Sequence, residues 1–101
     1  MDIYPAKLVK SRAGRDKNKF FAVFEVINEE YVLICDGRGR SLEKPKMKKI
    51  KHLEDMNYIL PRIKEKSDEG KKISNSDIRK AIKTALNDLG MAEAENLSEE
   101  V

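Results

Sequence analysis

Tryptophan is absent from the chain, and cysteine and histidine occur once each, as Cys35 and His52. A single cysteine rules out an internal disulfide and leaves zinc chemistry without a partner thiol. Cys35 stands beside Ile34 in an apolar segment with no histidine near it in sequence, so a small buried hydrophobe is the simpler reading than a nucleophile. His52 precedes Leu53 at the end of a strand-like segment, where a lone histidine is surface or half-buried structure rather than a catalytic base. No Walker A pattern and no G-x-G-x-x-G occurs, and the GRG of residues 37–39 is too short for either. Carboxylates are plentiful but scattered among lysines, as on solvated faces. These gaps argue against an enzyme, a cofactor and a small-molecule substrate.

Long apolar runs are also missing. Nothing approaches the roughly 18 consecutive apolar residues of a membrane span, and the start MDIYPAKLVK lacks the regions of a secretory signal. The expected setting is the cytoplasm, with no membrane partner. Aromatic residues make up only 6 %, and neither an internal repeat nor a low-complexity linker is found.

Charge is what the chain has in abundance. Of 101 residues 39 % are Asp, Glu, Lys or Arg, and the mean hydropathy is −0.65. One small domain with an appendage is the size class, with a modest core. The net charge of +3 hides an asymmetry: residues 1–53 hold 13 cations against 7 acids, and residues 54–101 hold 8 against 11. Within 38–51 seven cations face one acid, Glu43. Ordinary solvated surfaces dilute cations with acids, as this chain does after residue 54, so the undiluted stretch points to a polyanion.

Short apolar segments separated by turn signals dominate the first half. AKLVKS (6–11) predicts a first strand, FFAVFEVIN (20–28) a second, and YVLICD (31–36) a third; Asn28-Glu29-Glu30 supplies the turn that makes a hairpin of 20–27 and 31–36. GRGR (37–40) is a basic connection. Beyond it come an edge segment, a break at Pro45 and a last strand near 47–53. Four or five strands in about fifty residues suit a small SH3-like barrel better than a sandwich. The second half changes period: Ile78, Ala81, Ile82, Ala85, Leu86 and Leu89 recur at helical steps. Ser74 and Asp77 have capping-box spacing, and Gly90 stands where a helix C-terminus favours left-handed geometry. Met56, Ile59, Leu60 and Ile63 form a weaker stripe, and Pro61 is best placed in a first turn, predicting a helix from about 61 to before Gly70. The predicted organisation is a mostly β fold with an α appendage: a barrel over 1–54, one or two helices packed on it over 55–90, and an acidic, disordered tail over 91–101.

The candidate binding residues are the cations of three connections and their borders. Lys10, Arg12, Arg15, Lys17 and Lys19 surround Gly14; Arg38 and Arg40 occupy the next turn; Lys46, Lys48, Lys49 and Lys51 line the last segment. On a small barrel these regions reach neighbouring edges, where guanidinium and ammonium groups can grip phosphates. Phe20 and Tyr31 are candidates to stack on an unpaired base, with core packing the simpler role for Phe20.

The stretch AKLVKSRAGRDKNKFFAVFEVINEEYVLICDG resembles the KOW motif: a strand, a basic loop built on G-[RK]-D-K-G-[RK], and a second strand. It is similar to short bacterial KOW-domain RNA-binding proteins related to a group of archaeal and eukaryotic large-subunit ribosomal proteins. Ser11 to Asp16 fill S-[KR]-A-G-R-D, Tyr31 to Gly37 fill YVLI-D-G except at Cys35, and Ile50 to Glu54 fill the closing IKHLE. Lys71 to Ala81 share the same style, and the likeness covers residues 6–54. Two positions depart from it. Asn18 stands where the pattern has glycine, although asparagine tolerates left-handed φ best among non-glycine residues. DIYPA lacks the glycine that often precedes the first strand. The resemblance implies an SH3-like barrel whose first loop and adjoining turn lie on structured RNA, ribosomal RNA foremost, with ribosomal proteins as further candidate partners. The rival expectation is a protein adaptor using the barrel or the 78–89 helix face; DNA binding is a third.

Overall fold

A computed structural model describes residues 3–91. Five antiparallel strands, β1 (Lys7–Ser11), β2 (Phe20–Val26), β3 (Tyr31–Cys35), β4 (Lys46–Lys49) and β5 (Leu53–Ile59), precede two helices, α1 (Pro61–Asp68) and α2 (Asn75–Asp88). The strands form one sheet in the order β4-β3-β2-β1-β5, open in its hydrogen bonding between β4 and β5. A single 3-10 turn, Ile50–His52, joins these two outer strands. In a flat sheet they would lie about 19 Å apart, whereas the four steps from Lys49 to Leu53 reach about 14 Å at most. The sheet is therefore rolled.

Rolling gives it an inner and an outer face, and both bury apolar residues. Val9, Phe21, Val23, Val32, Ile34 and Leu53 fill the inside. Leu8, Phe20, Ala22 and Cys35 face outward under Ile63 of α1 and Ile78, Ala81, Ile82, Ala85 and Leu86 of α2. The adjacent Phe20 and Phe21 are thus buried on opposite faces. Burial on both faces explains why β2 begins as a continuous apolar run rather than an alternation.

The hairpin of β2 and β3 and the helix beginning at Pro61 match expectation. Ser74 caps α2: its Oγ accepts the Asp77 N–H, and the Asp77 carboxylate accepts the Ser74 N–H. Such a cap contributes about 1 kcal/mol. The predicted last strand near 47–53 is corrected. It is two strands split by the 3-10 turn, and the second continues to Ile59, where the sequence pattern suggested a helical stripe. Met56 and Tyr58 alternate onto the outer core, and Asn57 takes a left-handed φ of 56° beside a register shift between β1 and β5. Within this pair Lys7 Nζ meets Asp55 Oδ2 at 3.2 Å, largely out of solvent. The expectation for 91–101 lies outside the described residues apart from Met91, which packs against the outer core.

Both departures from the KOW pattern fall on left-handed backbone: φ is 73° at Ala6 and 72° at Asn18. Gly37 (φ 79°) admits a close approach of α2. A Cβ there would clash with the Asn75 carbonyl oxygen, so glycine is what lets α2 start against the loop after β3.

Candidate nucleic-acid interface

Antiparallel alternation decides where the basic connections emerge. Lys10 pairs with Phe20, Ala22 with Cys35, Ile34 with Lys46, and Ser11 with Leu53. The end of β1, the start of β2, the end of β3 and the starts of β4 and β5 therefore share one end of the sheet. The loop 12–19 and the connection 36–45 leave from that end, and the 3-10 turn arrives at it, where the Arg12 N–H donates to the His52 carbonyl at 2.8 Å.

The loop 12–19 is a tied structure. Ser11 N–H donates to the Lys19 carbonyl and Asn18 N–H to the Ser11 carbonyl, closing its neck, and the Lys17 N–H donates to Gly14. Gly14 has φ 85°, free of the Cβ penalty that bend would otherwise carry. At the centre stands Asp16, a buried carboxylate. Its Oδ1 accepts from Ser11 Oγ at 2.7 Å and from Lys48 Nζ at 2.9 Å. Lys48 Nζ also donates to the Ala13 carbonyl at 2.8 Å. Asp16 Oδ2 makes no hydrogen bond, but the Lys46 ammonium lies 3.3 Å from it. Burial by itself would raise the Asp16 pKa. The hydrogen bonds from Lys48 and Ser11 and the charges of Lys48 and Lys46 outweigh it and hold the carboxyl at about 2.

This clamp sorts the candidate cations. Arg12, Arg15 and Lys17 are exposed on the clamped loop and form no ion pair among the described residues. Lys19 is half-buried at the loop's neck. Arg38 and Arg40 are exposed on the next connection, their backbone N–H groups held by Asp36 Oδ1 at 2.9 and 3.0 Å. Lys46 is half-buried and shared with Asp16, and Lys48 is buried under the loop, so its ammonium is an internal tie. Lys10 lies half-buried on the outer face with its ammonium 5.6 Å from the Phe20 ring centre. Lys49 and Lys51 stand apart. Lys49 sits over the Tyr31 ring at 5.9 Å, and Lys51 borders a hollow with Asn28, Glu29, Glu30 and Ile50 near the β2–β3 turn. Phe20 is 2 % exposed and closed to stacking, while Tyr31 is half-buried.

Sequence reasoning missed Asp16 and Ser11 as the residues that organise the loop. The available signal was an acid set among cations directly after Gly14 and Arg15. A lysine 32 positions away was needed to complete it, and spacing alone cannot supply that contact.

Asp77 is held at about 2 in a similar way, first by the Lys66 ammonium at 2.8 Å and then by the Ser74 N–H and hydroxyl. Both carboxylates stabilise the fold while ionised. That contribution is complete above the ordinary value of 3.8 and is lost as pH falls towards about 2. Folding free energy from denaturant melts is expected to be flat from about pH 7 to 5 with respect to these groups and to decline between about 4 and 2. Asp16 accounts for roughly 2 kcal/mol of that decline, and Asp16→Asn removes this share of the slope.

Cys35 is fully buried, and desolvation followed by the nearby Asp36 charge pushes its thiol up to about 12. Among the described residues no three His, Cys, Asp or Glu side chains gather as a metal site requires, and no helix is long and apolar enough to cross a membrane. No protein-family model matches the chain, and no curated protein matches it.

Proposed function

We propose that the protein is a non-enzymatic RNA-binding module of translation, resting the basic end of a small SH3-like barrel of KOW type on the phosphate backbone of structured RNA, ribosomal RNA foremost. The observation that carries this reading is the exposed trio of Arg12, Arg15 and Lys17, without an ion pair among the described residues, on a loop pinned from beneath by Asp16, with Arg38 and Arg40 leaving the same end of the sheet. A pinned loop loses little conformational freedom on binding, so its cations meet phosphates pre-arranged. The barrel part is supported by the rolled sheet, the order β4-β3-β2-β1-β5 and the 3-10 turn between its outer strands. The KOW part is supported by left-handed backbone at Gly14 and Asn18 on either side of Arg15-Asp16-Lys17. A thiol as buried as that of Cys35 favours a non-catalytic role.

The mechanism is positioning without base reading. Guanidinium and ammonium groups on phosphates set register and orientation, and A-form RNA presents shape and 2′-hydroxyls rather than a legible major groove. Binding to ribosomal RNA fragments, followed by fluorescence anisotropy over a range of salt, is expected to give a linear fall of log affinity against log salt with a slope of about −4. A flat salt response overturns the proposal. It would favour a second reading, a protein adaptor, which the exposed Phe24, Val26, Ile27 and Met47 of β2 and β4 and the turn after β2 support. The α2 face offers such a partner little, since its apolar positions apart from Leu89 are buried on the sheet.

A further inference from the structure

We propose that the cleft between α1 and α2 is a second phosphate-contact site for the same RNA, an inference that rests on the RNA-binding reading above. The cleft, of about 450 Å³, is lined by Pro61 and Arg62 from α1 and by Lys80, Ala81, Lys83 and Thr84 from α2. Three of these six residues are cations and none is an acid. Lys80 and Lys83 are one turn apart on one face of α2, with Thr84 beside them, and Arg62 comes from the facing helix. Two elements thus line one concavity with cations, the residue type that binds phosphate.

Arg62 is available for that anion. Its nearest acid is Asp77, at 3.9 Å, and that carboxylate is already taken by Lys66 at 2.8 Å and by the Ser74 cap. The Arg62 side chain remains 50 % exposed. The volume lies in the range that takes a nucleotide-sized group. Ala81 and the Pro61 ring offer apolar wall against which a ribose can lie, while guanidinium, ammonium and hydroxyl groups donate to phosphate oxygens.

The charge count of the chain conceals this site. The acidic excess of residues 54–101 comes from Glu93, Glu95, Glu99 and Glu100, whereas residues 54–91 carry 8 cations against 7 acids. The described body measures 35 × 33 × 24 Å, so cleft and basic loop lie within reach of one folded RNA. Linking two modest contacts on a rigid body raises affinity through effective concentration.

The test uses the full chain and an RNA hairpin with an A-form stem and an internal loop. Affinity and salt slope are measured for the parent, for Arg62→Gln/Lys80→Gln/Lys83→Gln, and for Arg12→Glu/Lys17→Glu. The cleft variant alters three exposed side chains and is expected to melt with the parent. It should bind about tenfold more weakly and show a slope shallower by about two. Amide resonances of Arg62, Lys80 and Thr84 should shift when the hairpin is added. An unchanged slope with shifts confined to residues 12–19 overturns the second site and leaves the RNA-binding reading intact. A parent that ignores the hairpin, or binds it without salt dependence, overturns both.

Discussion

Reversing two charges on the clamped loop, Arg12→Glu with Lys17→Glu, should reduce affinity for ribosomal RNA by about a hundredfold or more while shifting the melting temperature by no more than about 2 °C. Each phosphate contact made by a charged donor is worth about 1.5–3 kcal/mol, and reversal replaces attraction with repulsion, so two contacts account for the hundredfold. The fold should not notice. Both side chains are exposed, and what they contribute to the loop is backbone: the Arg12 N–H to His52 and the Lys17 N–H to Gly14. Surface changes of this kind stay within about 0.5 kcal/mol. Anisotropy titration and co-sedimentation with ribosomes measure the first effect, and a thermal melt the second. Undiminished sedimentation with a normal melt would remove the loop from the interface.

The complementary experiment strikes the fold instead. Asp16→Ala should destabilise the protein by about 3 kcal/mol, because it takes the carboxylate from the buried Lys48 ammonium and leaves that charge and Ser11 Oγ with only the Ala13 carbonyl. For a domain this size that corresponds to roughly 15 °C in melting temperature. RNA affinity should fall as well, since the loop that aims Arg12, Arg15 and Lys17 loses its anchor. Pairing Asp16→Ala with Lys48→Met should restore most of the stability, as replacing both members of a buried ion pair is far milder than removing one. Because the double variant keeps every exposed cation of the loop, any affinity it fails to regain measures how far the clamp pre-arranges the loop. A single variant that melts within a few degrees of the parent would show that the clamp holds nothing.

Much of the fold was legible because local signals agreed. Phe20 to Val26 and Tyr31 to Cys35 combine β-formers with the turn residues Asn28-Glu29-Glu30, and the Asn28 side chain indeed accepts the N–H groups of Glu30 and Tyr31. Helix α2 announces itself by period, capping box and Gly90. Strand β5 did not, because Glu54, Asp55 and Asn57 are poor strand formers and the spacing of Met56, Ile59, Leu60 and Ile63 imitates a helical stripe. What makes 53–59 a strand is non-local: β1 offers it a free edge, and α2 offers Met56 and Tyr58 an apolar surface. Tertiary context overrides propensity there.

The candidate site divides in the same manner. Which residues carry positive charge, and that they cluster in connections between strands, is written in the chain, because charge is a property of the residue. Which of those charges face solvent is not. Lys48 and Lys17 look alike in sequence, yet one is an internal tie and the other a free end. Strand pairing carries the first back to Asp16 and turns the second outward. Likewise no spacing rule joins Arg62 to Lys80; only the packing of two helices on a rolled sheet makes them neighbours. Composition determined how much positive charge the chain carries and in which connections, and long-range contact decided which of those charges face solvent.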